Sequence, residues 1–149
     1  EVPTAHLEAL RDTIGRPVAL WDNYPVNDSR TRSEHLYLAP LRARAPTVAL
    51  ESHWCNAMNQ AALSLPALAS LARLHGREAG DAPRALAEAG GTQALVRACL
   101  PLADRDRGTL DEEEKASLLS LAPAGSAAAE ELGDWLEGHY RFDPACLTD

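Results

Sequence analysis

Eight consecutive residues near the amino terminus carry an unusual share of short polar side chains. Residues 21–28, which we call the octet, read WDNYPVND and follow an apolar run, PVAL, at residues 17–20. Asp and Asn side chains offer hydroxyl groups both acceptors and donors, and the face of a Trp ring packs on the C–H surface of a sugar. The octet therefore suits a neutral polyol as its ligand.

The octet follows the first of two predicted strands. Trp21 and Trp54 lie 33 residues apart in strand-like runs, a spacing that suits one βαβ unit. Ligands of parallel sheets bind beyond the carboxyl ends of the strands. We therefore expect the octet and Asn56, which follows the second strand, at one edge of the sheet. Tyr24 precedes Pro25 and is expected to be extended, which would hold the loop in an outward curve.

Two halves are predicted, an α/β half and a helical half. Aromatic residues make up only 5% of the chain, so Ala and Leu must build most of the core, and this favours helices. The first helix can be capped by Thr4 and ended by Gly15. The predicted strands and extended piece are residues 17–21, 36–38 and 48–55, and the predicted helices are residues 5–14, 66–75, 83–89, 92–102, 111–121 and 126–140. The boundary between the halves is expected at residues 76–81.

Composition and charge exclude several classes of partner. The chain has 149 residues, 24% of them charged, and a formal net charge of -8 with no cluster of Lys and Arg. Neither nucleic acid nor an anionic membrane is expected to bind such a surface. The three cysteines are widely spaced, which predicts no disulfide framework and fits a cytoplasmic protein.

No metal site and no cofactor are predicted from spacing. The sequence has no C-x-x-C pair, and its five His residues are scattered. Residues 104–114 read DRDRGTLDEEE, but either register of a calcium loop fails, because Gly108 and the acidic residues do not fall on the required positions. The acidic run is interpreted as the start of a capped helix.

The octet, with an Asn-x-Met at residues 56–58 beyond the second predicted strand, resembles the glycoside hydrolase family 84 type of β-N-acetylglucosaminidase. That family contains O-GlcNAcases and some bacterial hyaluronidases. The resemblance covers residues 1–76 and continues more loosely into the helical half. It implies the carboxyl-terminal portion of a (β/α)8 barrel at residues 1–76, followed by a helical domain at residues 77–149. It also implies substrate-assisted, retaining removal of N-acetylglucosamine.

The resemblance implies roles for four residues. Trp21 would line the sugar pocket and Asn23 would lie close to the reacting centre. Asp28 would accept hydrogen bonds from sugar hydroxyls on the ring edge opposite the scissile bond, and Asn56 would bond a neighbouring hydroxyl. No catalytic residue is expected in this chain.

The chain departs from the family pattern in two places. The family usually has Asn-Pro-Met where residues 56–58 read Asn-Ala-Met. More seriously, the family's pair of adjacent catalytic Asp residues has no counterpart, because no Asp-Asp occurs in the sequence. We therefore expect a carboxyl-terminal piece of a longer enzyme, which carries the sugar-binding wall without the acid/base.

Each candidate residue also has a purely structural interpretation. Trp21 could be a core residue of an αβ unit. Asp28 could cap a turn that begins at Ser29, and Asn56 could satisfy the end of a strand. Trp54 and Cys55 end an apolar strand candidate, and both are expected to pack in the core rather than to take part in chemistry.

Two classes of function therefore remain. The first is part of a β-N-acetylglucosaminidase that depends on the remainder of the barrel, or on self-association, to cover its sheet edges. The second is a non-catalytic carbohydrate-binding or protein-interaction module. The substrate would be an N-acetylglucosamine-containing glycoside or glycoprotein, whose aglycone the sequence does not specify.

Overall fold

The computed structural model describes residues 3–41 and 50–143, which are predominantly helical, as expected. The elements in chain order are α1 (Thr4–Ile14), β1 (Val18–Asp22), β2 (Leu50–Cys55), α2 (Ala61–Leu74), α3 (Ala82–Glu88), α4 (Gln93–Cys99), α5 (Glu112–Ser120) and α6 (Ala127–Glu137). Short 3-10 turns lie at Arg32–Glu34, Leu100–Ala103 and Arg107–Thr109. Within the described ranges, the helices are too short or too polar to cross a membrane.

β1 and β2 pair in parallel to form a two-stranded sheet. Trp21 pairs with Trp54 in the register. α1 packs on this sheet, where the buried side chains of Leu7 and Val18 meet the half-buried Leu50. Gly15 ends α1 at a φ of 64°, a left-handed conformation that glycine adopts without strain. The predicted strands are confirmed to within two residues, although residues 48 and 49 lie outside the described part.

Residues 36–38, which were predicted as an extended piece, do not form a strand. The backbone N–H of Leu36 donates to the carbonyl of Leu102 at 3.1 Å, and that of Tyr37 donates to the sulfur of Met58 at 3.2 Å. Leu36 and Leu38 are almost fully buried. This segment therefore crosses the helical core as an irregular chain, because its donors bond to the helical half instead of to a neighbouring strand.

One hydrophobic core joins the segments before and after residue 76. Its buried members are Leu36, Leu38, Met58, Leu63, Leu95, Cys99, Leu102, Leu110, Leu118, Ala122, Ala128, Leu132, Trp135 and Leu136. Trp135 is 1% exposed, and its indole N–H donates to the carbonyl of Ser33 at 3.1 Å. The division at residue 76 stays a prediction, and the core packs continuously across it.

α2 begins five residues before its predicted start, and Pro66 lies inside it. Its N-cap residue, Gln60, makes no side-chain cap hydrogen bond. Instead, the Glu131 carboxylate on α6 accepts from the backbone N–H of Ala62 at 2.9 Å and of Leu63 at 3.0 Å. A negative group at a helix N-terminus satisfies N–H groups that lack an intrahelical partner. A side chain 69 residues away therefore supplies the cap.

Local signals explain the ends of the other helices. Asp111 and Glu114 form a capping box at the start of α5, as the acidic run indicated. α4 gives way to a 3-10 turn that contains Pro101, and α6 ends at Gly138, whose φ is 87°. The predicted helices at residues 92–102 and 126–140 were therefore too long, because Pro101 and Gly138 end the regular hydrogen bonding earlier.

We expect Glu131→Gln to lower the free energy of unfolding by about 1–2 kcal/mol, because the amide keeps one acceptor and turns an NH2 group toward the second N–H. Urea denaturation measures this loss. Glu130→Gln, one residue away on the exposed side of α6, is the control and should cost only the few tenths of a kcal/mol typical of an exposed first-turn carboxylate. Equal stabilities of the two variants would contradict the cap.

Candidate functional site

The ends of β1 and β2 continue to pair after the strands stop. The backbone N–H of Asn56 donates to the carbonyl of Asp22 at 3.0 Å, and the N–H of Val26 donates to the carbonyl of Asn56 at 2.9 Å. Both strands run in the same direction, so the octet and Asn56 lie together at their carboxyl ends. The expectation that they share one sheet edge is met.

Asn27 organises the loop that contains the octet. Its side chain is 1% exposed. The amide NH2 donates to Gln60 Oε1 at 2.8 Å and to the carbonyl of His35 at 3.1 Å, while the amide oxygen accepts from the N–H of Asn59 at 3.1 Å. One buried side chain thus joins the octet to the segment after β2. Sequence reasoning missed this role, because composition does not tell which Asn of the octet turns inward.

Asn23 is fixed from two directions. Its Oδ1 accepts from the indole N–H of Trp21 at 2.9 Å, and its carbonyl accepts from the Arg32 guanidinium at 3.0 Å. The Arg32 guanidinium also lies over the ring of Tyr37, 5.0 Å from its centroid. The exposed Asn23 amide is therefore held in place beside the indole, and its NH2 group points away from the bond to Trp21 as a remaining donor.

Tyr24 connects the octet to residues 37–39. Its hydroxyl donates to the carbonyl of Ala39 at 2.6 Å, and its ring centroid lies 6.1 Å from that of Tyr37. The peptide bond between Tyr24 and Pro25 is cis. These contacts attach the octet to the segment that leads into the helical core.

Asp28 and Asn56 keep their polar side-chain groups available. Asp28 is exposed, and in the described part of the chain its carboxylate makes no hydrogen bond or ion pair. The turn after it is held by Ser29, whose Oγ accepts from the N–H of Arg32 at 3.3 Å and whose carbonyl accepts from the N–H of Ser33 at 2.9 Å. Asn56 is half-buried and pairs through its backbone, without a side-chain hydrogen bond to the residues described.

Two Trp side chains stand next to each other on the open face of the sheet. Trp21 is 66% exposed and Trp54 is 60% exposed. Side chains alternate along a strand, so Val18 and Asp22 point to the opposite, buried face. The core interpretation of Trp21 fails on this exposure. The expectation that Trp54 packs in the core is also wrong, because its strand position places it on the same open face.

The site can bind hydroxyl groups through one charged acceptor, Asp28, and the amides of Asn23 and Asn56, beside an exposed indole. A sugar ring uses this combination of polar groups and an apolar face. The four residues singled out in the sequence thus lie on one pair of strand ends. A grouping of the buried Asp22 with the half-buried His53 and Cys55 lies at the same strands and was not foreseen.

Comparison with known proteins gives two matches. The family model described as beta-N-acetylglucosaminidase matches residues 1–93, more than half of the chain. Among solved structures, a mutant of the O-GlcNAc hydrolase from Thermobaculum terrenum is similar, with a TM-score of 0.60 and 23% sequence identity. The alignment covers 94% of this chain and 39% of that one, so the chain spans well under half of its length. At this identity the likeness shows the fold. A search of curated proteins found no match.

We expect Asn27→Ala to lower the free energy of unfolding by about 2–4 kcal/mol, because three hydrogen bonds are lost and buried partners stay unpaired. Chemical denaturation measures the change. Asn59→Ala is the matched control, since Asn59 is exposed and only its backbone N–H takes part. If the two variants were equally stable, Asn27 would not join the loops.

Proposed function

The chain belongs to the β-N-acetylglucosaminidase family, as the resemblance of the octet indicated, and from this we propose that it supplies the sugar-binding wall of a retaining glycoside hydrolase. The reaction would be substrate-assisted, with the acetamido oxygen of the substrate attacking the anomeric carbon. The catalytic Asp pair would lie outside this chain, because the 149 residues contain no Asp-Asp.

The observation that carries the proposal is the pairing of the octet with Asn56 at the carboxyl ends of two parallel strands. In α/β barrels this edge forms the active site. Asp28 would accept from hydroxyls of an N-acetylglucosamine ring and Asn56 from a neighbouring one. Neither side chain is engaged by the described residues, so neither has to leave a protein partner to bind substrate.

The uncovered face of the sheet supports the proposal that the two strands belong to a larger barrel. α1 covers one face through Leu7 and Val18, whereas Trp21 and Trp54 stand on the other. Strands of a (β/α)8 barrel have helices outside and the barrel interior on the other side. We propose that further strands close around the Trp face, so that Trp21 becomes a pocket wall. The partner in this proposal is the remainder of the barrel. When the remainder of the barrel is missing, we expect the exposed sheet faces of two chains to associate.

The substrate class would be a glycoside or glycoprotein that ends in N-acetylglucosamine. We also propose a cytoplasmic, reducing location, with which the free thiols of Cys55 and Cys99 are compatible. The absence of Asp-Asp equally favours a non-catalytic carbohydrate-binding or interaction module. The length of the intact gene product separates the two: upstream barrel strands that carry an Asp pair support the hydrolase.

We expect the 149-residue chain alone to show no hydrolysis of an aryl N-acetylglucosaminide, because it holds no acid/base pair. The measurement is a fluorogenic or chromogenic assay at high protein concentration. Turnover that copurifies with the isolated chain would contradict the proposal that the catalytic Asp pair lies outside this chain.

In the complete polypeptide, we expect Asp28→Asn to lower kcat/KM roughly tenfold to a hundredfold, because a hydrogen bond to a charged group contributes about 1.5–3 kcal/mol. The melting temperature should stay unchanged, since Asp28 is exposed and makes no bond to the described residues.

Steady-state kinetics and thermal melting of this variant test the assignment together. Asp81→Asn is the control, because Asp81 is exposed and makes no side-chain cap hydrogen bond. A lowered melting temperature with unchanged kcat/KM would show that Asp28 has a structural role and does not bind sugar.

A further inference from the structure

A second group of side chains capable of chemistry lies on the buried face of the sheet. Asp22, His53 and Cys55 each offer one potential metal-ligand atom, and these atoms all lie within 4.8 Å of one another. The Asp22 side chain is 8% exposed and that of His53 is 4% exposed. The distance from His53 Nε2 to Asp22 Oδ2 is 3.5 Å. We call these three residues the buried triad, although Cys55 itself is half-buried.

The strand pairing explains why the triad meets. His53 and Cys55 are two residues apart on β2, so their side chains point to the same face. Asp22 on β1 is the register partner of Cys55. All three ligand-bearing residues therefore stand on paired strands and not on loops, and rigid elements hold metal ligands more accurately than loops do.

We propose that the buried triad binds a zinc ion through the Asp22 carboxylate, His53 Nε2 and the Cys55 thiolate, with a fourth position open to water. Carboxylate, imidazole and thiolate are the three side-chain donors that zinc takes in proteins, at bond lengths of about 2.0–2.3 Å. Those lengths place neighbouring ligand atoms about 3.3–3.8 Å apart around a tetrahedral ion. The observed spacing needs only small side-chain rotations to reach this arrangement.

His75 completes the site from the end of α2. Its Nε2 lies 2.9 Å from Nδ1 of His53, and the two rings meet edge to face with centroids 5.1 Å apart. When His53 donates its Nδ1 proton to His75, its Nε2 is left unprotonated for the metal. Metal-bound imidazoles regularly donate their second N–H to such a partner, which fixes the ring. His75 is therefore a positioning residue in this proposal.

Charge balance favours a divalent cation here. The Asp22 carboxylate and a Cys55 thiolate would together carry two negative charges, which matches the charge of one divalent cation. One zinc ion neutralises both, and binding releases the thiol proton to solvent.

The experiment titrates the 149-residue chain, stripped of metal and kept reduced, with Co²⁺ followed by Zn²⁺. We expect one Co²⁺ per chain, with an absorption band for thiolate-to-cobalt charge transfer that Zn²⁺ abolishes by competition. Zinc content after dialysis gives the stoichiometry, and the melting temperature should rise with Zn²⁺. This part of the test needs no variant.

Four variants test the assignment of the ligands. Cys55→Ser should lose the charge-transfer band, and Cys146→Ser, the matched control thiol, should keep it. His75→Gln should keep the band while zinc affinity falls about tenfold to a hundredfold. Circular dichroism of the metal-free variants separates loss of folding from loss of a ligand, and Asp22→Asn, which should weaken zinc binding, replaces Cys55→Ser if the latter does not fold.

The proposal is overturned if the wild-type chain takes up no stoichiometric Zn²⁺, or if Cys55→Ser retains the charge-transfer band. It is also overturned if Zn²⁺ binds with equal affinity to the wild type and to a folded Asp22→Asn variant. These outcomes do not depend on glycosidase activity, so they leave the proposed function untouched.

Discussion

The buried amide of Asn27 is the interaction on which the rest of this structure depends. Parallel pairing of β1 and β2 brings two strand ends together, and backbone bonds of Asn56 extend this pairing as far as Val26. Beyond Val26, the two loops are joined through the side chain of Asn27. Asn27 uses its oxygen and its NH2 group to bond three residues in two other parts of the chain, at residue 35 and at residues 59 and 60. Hydrogen bonds in a buried network support one another in the low local dielectric. The loop backbone is thereby fixed while Asp28, the next residue, stays in solvent.

The helical half supports these loops from behind. Leu36, Leu38 and Met58 lie in the same core as Trp135, and the Glu131 carboxylate caps the helix that follows β2. The strand ends that carry the candidate site therefore rest on α6 through both apolar packing and charged hydrogen bonds. The family resemblance implies a helical domain after the barrel. In this chain its packing extends directly to the segments that carry the candidate site.

The sequence predicted what local signals determine. Apolar runs located β1 and β2, the capping residues located α5, and Gly15 ended α1 where expected. The octet also identified the family. Long-range effects were not readable in this way. The start of α2 depends on a carboxylate far along the chain, and the irregular path of residues 36–38 depends on bonds to the helical half.

Side-chain direction was the second source of error. Trp54 was expected in the core because it ends an apolar run, yet strand alternation turns it outward beside Trp21. The same alternation turns His53 and Cys55 inward, which a spacing search along the chain could not reveal because their third partner is on another strand. Asn27, in turn, could not be told from Asn23 by composition.

The unequal exposure of the three Trp residues gives the protein an intrinsic optical reporter. Trp135 is enclosed, whereas Trp21 and Trp54 face solvent. Indoles in water emit at longer wavelengths and are accessible to ionic quenchers, while an enclosed indole is shielded from both effects. Iodide therefore quenches the emission of Trp21 and Trp54 on the open sheet face selectively. The emission that remains comes from Trp135 and reports on the helical core. A binding event at the strand ends and a loosening of the core would thus change different parts of one emission spectrum.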